Sequence, residues 1–390
     1  MEEELKKEEK KDNKKSNIKK ILKIVLIVLL IGLIISVIIL YRENRTLQNF
    51  IDENIFKKTI TEDNLLSIDI DNDTNTYICA FSNYIGVVSN NTLTAYNSYA
   101  KKEFSLSVTI TTPIFSSSGK YLAIAEKNGN KIYLISDKNI VWQTDVEGTI
   151  EKITVNKNGY LAVAVSQTSY RSVVITYNTN GKELCRTYLS STYAVDMDIS
   201  NDNKSLAIAE TNLSGIQIKA GIRIISLEKV DQDPENAVIY KEEIDQDTII
   251  TSIHYDNKNN LICMLTDKII KIENLQKKDI LEYDENALFA DIDLDNQIVQ
   301  ILNSQEDELK VKITNTINQN ERDYIINSIP KEMDTKGSII AINTGSEAYF
   351  IKNTGFLIKK YEANQEIKQI VISENIAGII YKNKIEIIKL

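Results

Sequence analysis

Phe115-Ser-Ser-Ser-Gly-Lys-Tyr-Leu-Ala-Ile-Ala125 is echoed forty residues later by Val155-Asn-Lys-Asn-Gly-Tyr-Leu-Ala-Val-Ala164, and the reading of that pair decides the fold. Each is an apolar residue, a polar one, a short turn rich in Asn, Asp, Ser and Gly, and then an apolar strand. The phrase recurs as Ile199-Ser200 with Asn203, Tyr255-Asp256 with Asn260, Leu294-Asp295 with Asn296, Met333-Asp334 with Gly337 and Ile372-Ser373 with Asn375. Ile70-Asp71 with Asn75 supplies one more at the front. The polar members stand at 71, 116, 156, 200, 256, 295, 334 and 373, hence at intervals of 45, 40, 44, 56, 39, 39 and 39 residues. A period near forty, built of short alternating strands and turns, is the signature of β-propeller blades.

Each interval has room for four strands, as in Tyr121 to Ala125, Lys131 to Ser136 and Ile140 to Asp145 after a first strand ending at Phe115. The expected fold is therefore all-β, a propeller of eight four-stranded blades, with seven blades and a spare hairpin as the alternative count. The last repeat holds only three strands before the chain stops at Leu390. Its fourth is expected from Ile55 to Thr61, which would join the N- and C-terminal β-structure and remove an exposed edge.

Upstream of the repeats, Ile24 to Tyr41 runs eighteen residues without a charge. At about 1.5 Å rise per residue such a helix approaches the roughly 30 Å hydrocarbon core of a bilayer. A cleaved signal peptide would have a shorter apolar core followed by small residues, whereas Tyr41-Arg-Glu-Asn-Arg follows here. The expected division is a Lys-rich cytoplasmic tail (1–20), a transmembrane helix (21–41), a juxtamembrane stalk (42–54) and an extracellular propeller (55–390). Met1 to Lys23 carries nine Lys against six acidic residues, a net of +3, and the far flank offers only Arg42 and Arg45 before Lys57. The positive-inside rule then gives a single-pass cell-membrane protein with its N-terminus in the cytoplasm. Taking +3 from the whole-chain −9 leaves −12 for the exported part, which argues against a nucleic-acid partner.

Within the blades, Lys131-Ile-Tyr-Leu-Ile-Ser-Asp-Lys-Asn-Ile-Val-Trp142 and Ile175-Thr-Tyr-Asn-Thr-Asn-Gly181-Lys-Glu-Leu-Cys185 are similar to the phrase of quinoprotein-like (PQQ-type) propeller repeats, where a strand, a Gly-Lys turn and a Trp close each blade. One blade keeps the Trp, and Cys185 stands where the second would be. With its single N-terminal anchor, the chain resembles an uncharacterised family of membrane-anchored, quinoprotein-like propellers of Gram-positive bacteria. The resemblance implies fold and location and leaves activity open.

For chemistry the residues offer little. One histidine, His254, and no HExxH, GxSxG, Walker or GxGxxG phrase remove nucleophilic and zinc-dependent classes, and one Trp is poor support for a bound quinone, so no cofactor is expected. Cys79, Cys185 and Cys263 are odd in number, far apart and without metal-ligand spacing. Asp69, Asp71, Asp73 and Asn75 have calcium-loop spacing, but Thr74 and Ala80 stand where Gly and a bidentate carboxylate belong, so turn capping is the expected role and no metal site is assigned.

Two candidate sites emerge. Stacking the repeats puts Asp69, Asp198, His254, Asp293 and Glu332 just before the apolar member, with Ser67, Lys152, Asp196, Ser252 and Asp291 two residues earlier. Alternation places both sets on one face of the innermost strand, an acidic channel wall able to hold a cationic ligand. The longest interval, Ser200 to Asp256, carries its surplus in Thr211 to Gly221 and Val230 to Ala237. Leu213, Ile216 and Ile218 would there form an apolar binding loop beside acidic Asp231, Asp233 and Glu235. The leading expectation is a non-enzymatic binding or scaffolding module for an envelope component or membrane protein. The alternative is an envelope hydrolase using channel carboxylates.

Overall fold

A computed structural model of the chain describes residues 23–41, 51, 55–56, 58–61, 65–70, 75–214, 217–246, 248–282, 287–303 and 308–390. They fall into two compact units that divide after Thr59. In the first, Lys23–Tyr41 is one helix, long and apolar enough to cross a membrane. Its one internal hydroxyl, Ser36, donates to the Gly32 carbonyl at 2.9 Å and so brings no unsatisfied group into the helix.

The second unit is a closed ring of eight antiparallel sheets. The innermost strands, in chain order, are Tyr77–Phe81, Pro113–Ser118, Thr149–Val155, Tyr193–Ile199, Ile250–Tyr255, Ala287–Leu294, Glu332–Lys336 and Gln369–Ile372. Each neighbours the next, and the last neighbours the first. In blades one to seven the chain moves outward strand by strand, as in Pro113–Ser118, Tyr121–Glu126, Lys131–Ser136 and Asn139–Asp145 of blade two. Middle strands are buried on both faces and read as continuous apolar text, Leu161–Gln167 and Ile339–Asn343 among them. Packing between neighbouring blades makes the core. Leu122, Ile124 and Ile135 of blade two are fully buried against Phe81, Leu93 and Ala95 of blade one, and the same pattern recurs around the ring.

Closure follows the expected principle with a different strand. Leu66–Asp69 pairs with Lys384–Lys389 and supplies the fourth strand of blade eight, Ile68 opposite Ile385 and Asp69 opposite Lys384. Thr59–Thr61 instead adds a fifth strand outside Leu357–Glu362 of blade seven. Consequently Ile70-Asp71 does not end an innermost strand. Blade one begins at Tyr77, its true turn is Ser82, and the first interval is 34 residues, from Ser82 to Ser116, rather than 45.

Candidate functional site

An innermost strand has a partner on one side only, and its other edge offers backbone N–H groups toward the axis. Side chains from the preceding blade take them up. Ser116 Oγ accepts from Val155 N–H at 3.0 Å, Asp196 Oδ2 from Ile253 N–H at 2.8 Å, Asp198 Oδ2 from Tyr255 N–H at 2.7 Å, and Glu332 Oε2 from Ile370 N–H at 3.0 Å. Three of the channel carboxylates are therefore fasteners between blades, each a charge-assisted bond worth about 1.5–3 kcal/mol. The polar member of the repeat does the same at the turns. Asn156 Nδ2 donates to the Ser200 carbonyl at 3.1 Å and Ser373 Oγ to the Ser82 carbonyl at 2.7 Å, closing blade eight onto blade one; in blade four the residue after the polar member, Asn201, donates from Nδ2 to the Asp256 carbonyl at 3.1 Å.

Beyond this stitching, blades three to seven bring charges of both signs together. His254 Nδ1 lies 3.3 Å from Asp198 Oδ2 and 3.5 Å from Asp293 Oδ1. Lys336 Nζ lies 3.0 Å from Asp293 Oδ2, and Lys152 Nζ 2.6 Å from Asp196 Oδ1. Burial works against a charge on His254, but the hydrogen bond to Asp198 and the charges of Asp293 and Asp198 outweigh it and raise its pKa to about 9. The imidazole is thus a cation at neutral pH. Burial also opposes ionisation of Asp293, yet Lys336 and His254 hold it below the ordinary carboxylate range. Asp334, on the same strand as Lys336, goes the other way: burial, then the charge of Asp291, lifts its pKa to about 7. Asp291 and Asp196 are raised as well, chiefly by burial.

Two adjoining cavities share His254, Asp293 and Lys336 in their walls. The outer one, about 370 Å³, opens where the first turn of every blade meets the axis, from Ser82 and Gly119 through Lys157, Asn201, Asn257, Asp295 and Gly337 to Ser373. The inner one, about 280 Å³, continues to Lys152, Asp196, Ser252 and Asp291. Hydroxyls, amides and paired charges line the outer one, with no Phe, Tyr or Trp among its lining residues, and the inner one adds the apolar Phe115, Met197, Ile253 and Tyr255.

The structure brings Asp198, His254 and Asp293 together, whereas Glu332 lines neither cavity and serves as a fastener of blade eight. Asp69 is a correction. It sits exposed on the outermost strand of blade eight, away from the axis, because an outer strand carries the same alternating text as an inner one. The wall is not polar in every blade, as stacking already shows at Val371. Val371 of blade eight and Ala80 of blade one pack together in an apolar cluster, so the charge is one-sided. Lys336 was missed, although alternation from Glu332 through Asp334 places it on the same face. It turns an acidic funnel into a charge-compensated one.

At the long insertion, Leu213 is 56% and Ile218 37% exposed at the tip between Ser205–Asn212 and Lys219–Ser226, while Ile216 lies outside the described residues. Asp231, Asp233 and Glu235 follow the far end of the eight-residue strand Lys219–Ser226. They are about 25 Å from the tip at some 3.3 Å per residue, and the expected acidic neighbour is not one. Val230 and Ala237 pack into the core between blades three and four, which gives that second surplus a structural role. Asp71 and Asp73 of the calcium-like spacing also lie outside the described residues.

Trp142, on the outer strand of blade two, reaches blade three. Its Nε1 donates to the Thr179 carbonyl at 3.1 Å, its ring lies 5.4 Å from Tyr177, and a Cβ on Gly181 would meet it at 2.8 Å. Cys185 holds the corresponding place on blade three, half-buried against the apolar cluster between blades three and four.

Among solved structures, the computationally designed Ika8 protein is similar in fold, with a TM-score of 0.54 at 11% identity over 81% of this chain and 96% of that one. Hydrazine synthase of Kuenenia stuttgartiensis (TM-score 0.44, 12% identity, 80% and 94% covered) and apo AztD of Citrobacter koseri (0.44, 10%, 75% and 95%) are more distant. No curated protein matches the sequence. Residues 57–390 match the family of unknown function DUF5711, which covers the described propeller from Lys58 to the last residue, and the chain belongs to that family.

Proposed function

We propose that this chain is a membrane-tethered, non-enzymatic binding module. In this reading its N-terminus is cytoplasmic, its propeller (55–390) is extracellular, and it belongs among membrane-anchored, quinoprotein-like propellers of Gram-positive bacteria. The contact of Trp142 with Gly181 supports the quinoprotein-like part of the reading, and the Lys-rich tail supports the orientation. One observation carries the binding role: an open polar mouth fed by all eight blades, floored by His254, Asp198, Asp293 and Lys336. Because Asp198 and Asp293 are already engaged, the floor presents a fixed pattern of charge and hydrogen-bonding groups rather than a free acid–base pair. A small polar envelope component, such as a cell-wall glycan or peptide fragment, matches that pattern. Titration calorimetry of the full chain in detergent with cell-wall glycopeptide fragments tests this. Binding should be lost in His254→Gln and in Lys336→Met; binding that survives both puts the site elsewhere.

The hydrolytic reading has one observation in its favour. Asp334, with its pKa at about 7 beside Asp291, could donate a proton near neutrality. New reducing ends or amines released by the wild type and abolished in Asp334→Asn would favour it.

A further inference from the structure

From Lys23 to Leu40 every residue of the apolar helix is exposed, and Tyr41, its last residue, is half covered. The cover is Phe56, whose ring meets Tyr41 edge-on at 6.4 Å and 81°. Lys58 joins them: its Nζ donates to the Tyr41 hydroxyl at 3.1 Å and stands 5.8 Å and 5.4 Å from the Tyr41 and Phe56 ring centres. The chain that leaves the helix at Tyr41 is thus beside it again fifteen residues later. Ile55 and Phe56 nevertheless remain 63% and 58% exposed. Two large apolar side chains facing water next to the end of an apolar helix are unfavourable by about 25 cal/mol for each Å² left wet.

We propose that Tyr41, Ile55, Phe56 and Lys58 form a second membrane contact, seated at the boundary between headgroups and acyl chains on the C-terminal side of the helix. The proposal rests on the reading of Lys23–Tyr41 as a membrane span. The occupant of the exposed surface is phospholipid, and three observations select it. The patch is continuous with the helix end, where the bilayer surface must lie. Its composition, one Tyr, one Phe, one Ile and one Lys, is that of an interfacial belt, with rings at headgroup level and an ammonium reaching phosphate. Its apolar part is small, suited to shallow insertion beside an anchor already in place. The strand Thr59–Thr61 begins three residues after Phe56, so at most ~10 Å of chain separates the interfacial contact from the first propeller strand.

The test uses the full chain in lipid nanodiscs, with Trp142→Phe as background so that one introduced Trp reports alone. Phe56→Trp should emit to the blue and be quenched several-fold more by lipids brominated near the headgroup than by lipids brominated near the acyl terminus. Ile31→Trp, in mid-helix, should show the reverse. Phe56→Trp that emits to the red, yields to aqueous iodide and ignores both bromolipids, while Ile31→Trp is quenched from the acyl terminus, would overturn the second contact and leave the span standing. An Ile31→Trp insensitive to either lipid would overturn the span and the second contact with it. Should the Trp142→Phe background unfold, Phe56→Cys carrying a polarity-sensitive dye in a Cys185→Ser background gives the same two-sided reading.

Discussion

His254 stands between two carboxylates, and its titration decides how the channel floor responds to pH. The folded pKa, about 9, lies above the ordinary 6.5, so protons bind the folded state more tightly than the unfolded one. The stabilisation is then complete below pH 6.5 and disappears as pH rises through about 9. Comparing wild type with His254→Gln by thermal unfolding, the wild-type advantage should be largest near pH 6, up to roughly 3 kcal/mol, and should shrink toward the alkaline end. A difference independent of pH would mean that the imidazole is neutral and packs without charge. Asp198, Asp293 and His254 were legible as a shared face because alternation is a property of the backbone. What alternation cannot report is which donor each carboxylate oxygen serves. The fastening of Tyr255 N–H by Asp198 and the neutralisation of Asp293 by Lys336 depend on the spacing between blades, which no single strand encodes.

Strand Leu66–Asp69 belongs to blade eight although it is 315 residues from its partner strand, Lys384 opposite Asp69. Such a closure is entropically expensive to form but leaves no edge on the last blade. The period of forty found blades two to eight because each contributes a complete inner strand and turn. It misread blade one because Leu66 to Ile70 has the same alternating pattern while serving as an outer strand, and pattern alone does not distinguish first from fourth. Thr59–Thr61 falls within the stretch expected to be a strand, but alternation does not choose a partner, and it pairs with Leu357–Glu362 of blade seven instead of closing blade eight. Two truncations separate these roles. Compared with a chain beginning at Lys58, one beginning at Leu65 loses of the described elements only the fifth strand of blade seven and should melt within a few degrees of it. One beginning at Asn75 also loses the closing strand, uncovers the edge of Lys384–Lys389, and should aggregate or lose cooperative melting. Equal melting of the two would show that the ring closes without Leu66–Asp69. Light scattering with circular dichroism reads both.

The whole chain is polarised in charge, with +3 before the apolar helix and −12 after it, and the two signs act on different steps. Lysines on the N-terminal flank are held back from translocation, whereas acidic residues in a large following domain contribute little to orientation. In the reading proposed above, the helix is symmetric enough in its apolar text to sit either way, and the flanking lysines select the side. On that basis, protease added to intact cells should degrade the propeller and spare an epitope placed at the N-terminus. Replacing Lys10, Lys11, Lys14, Lys15, Lys19 and Lys20 by Gln should return a measurable fraction of chains in the opposite orientation. A compact propeller can resist protease even when exposed, since its turns are short and its edges paired, and protection in intact cells is therefore informative only beside broken cells. Protection in intact cells together with digestion in broken ones would reverse the orientation and move the polar mouth, with His254 beneath it, to a cytoplasmic ligand.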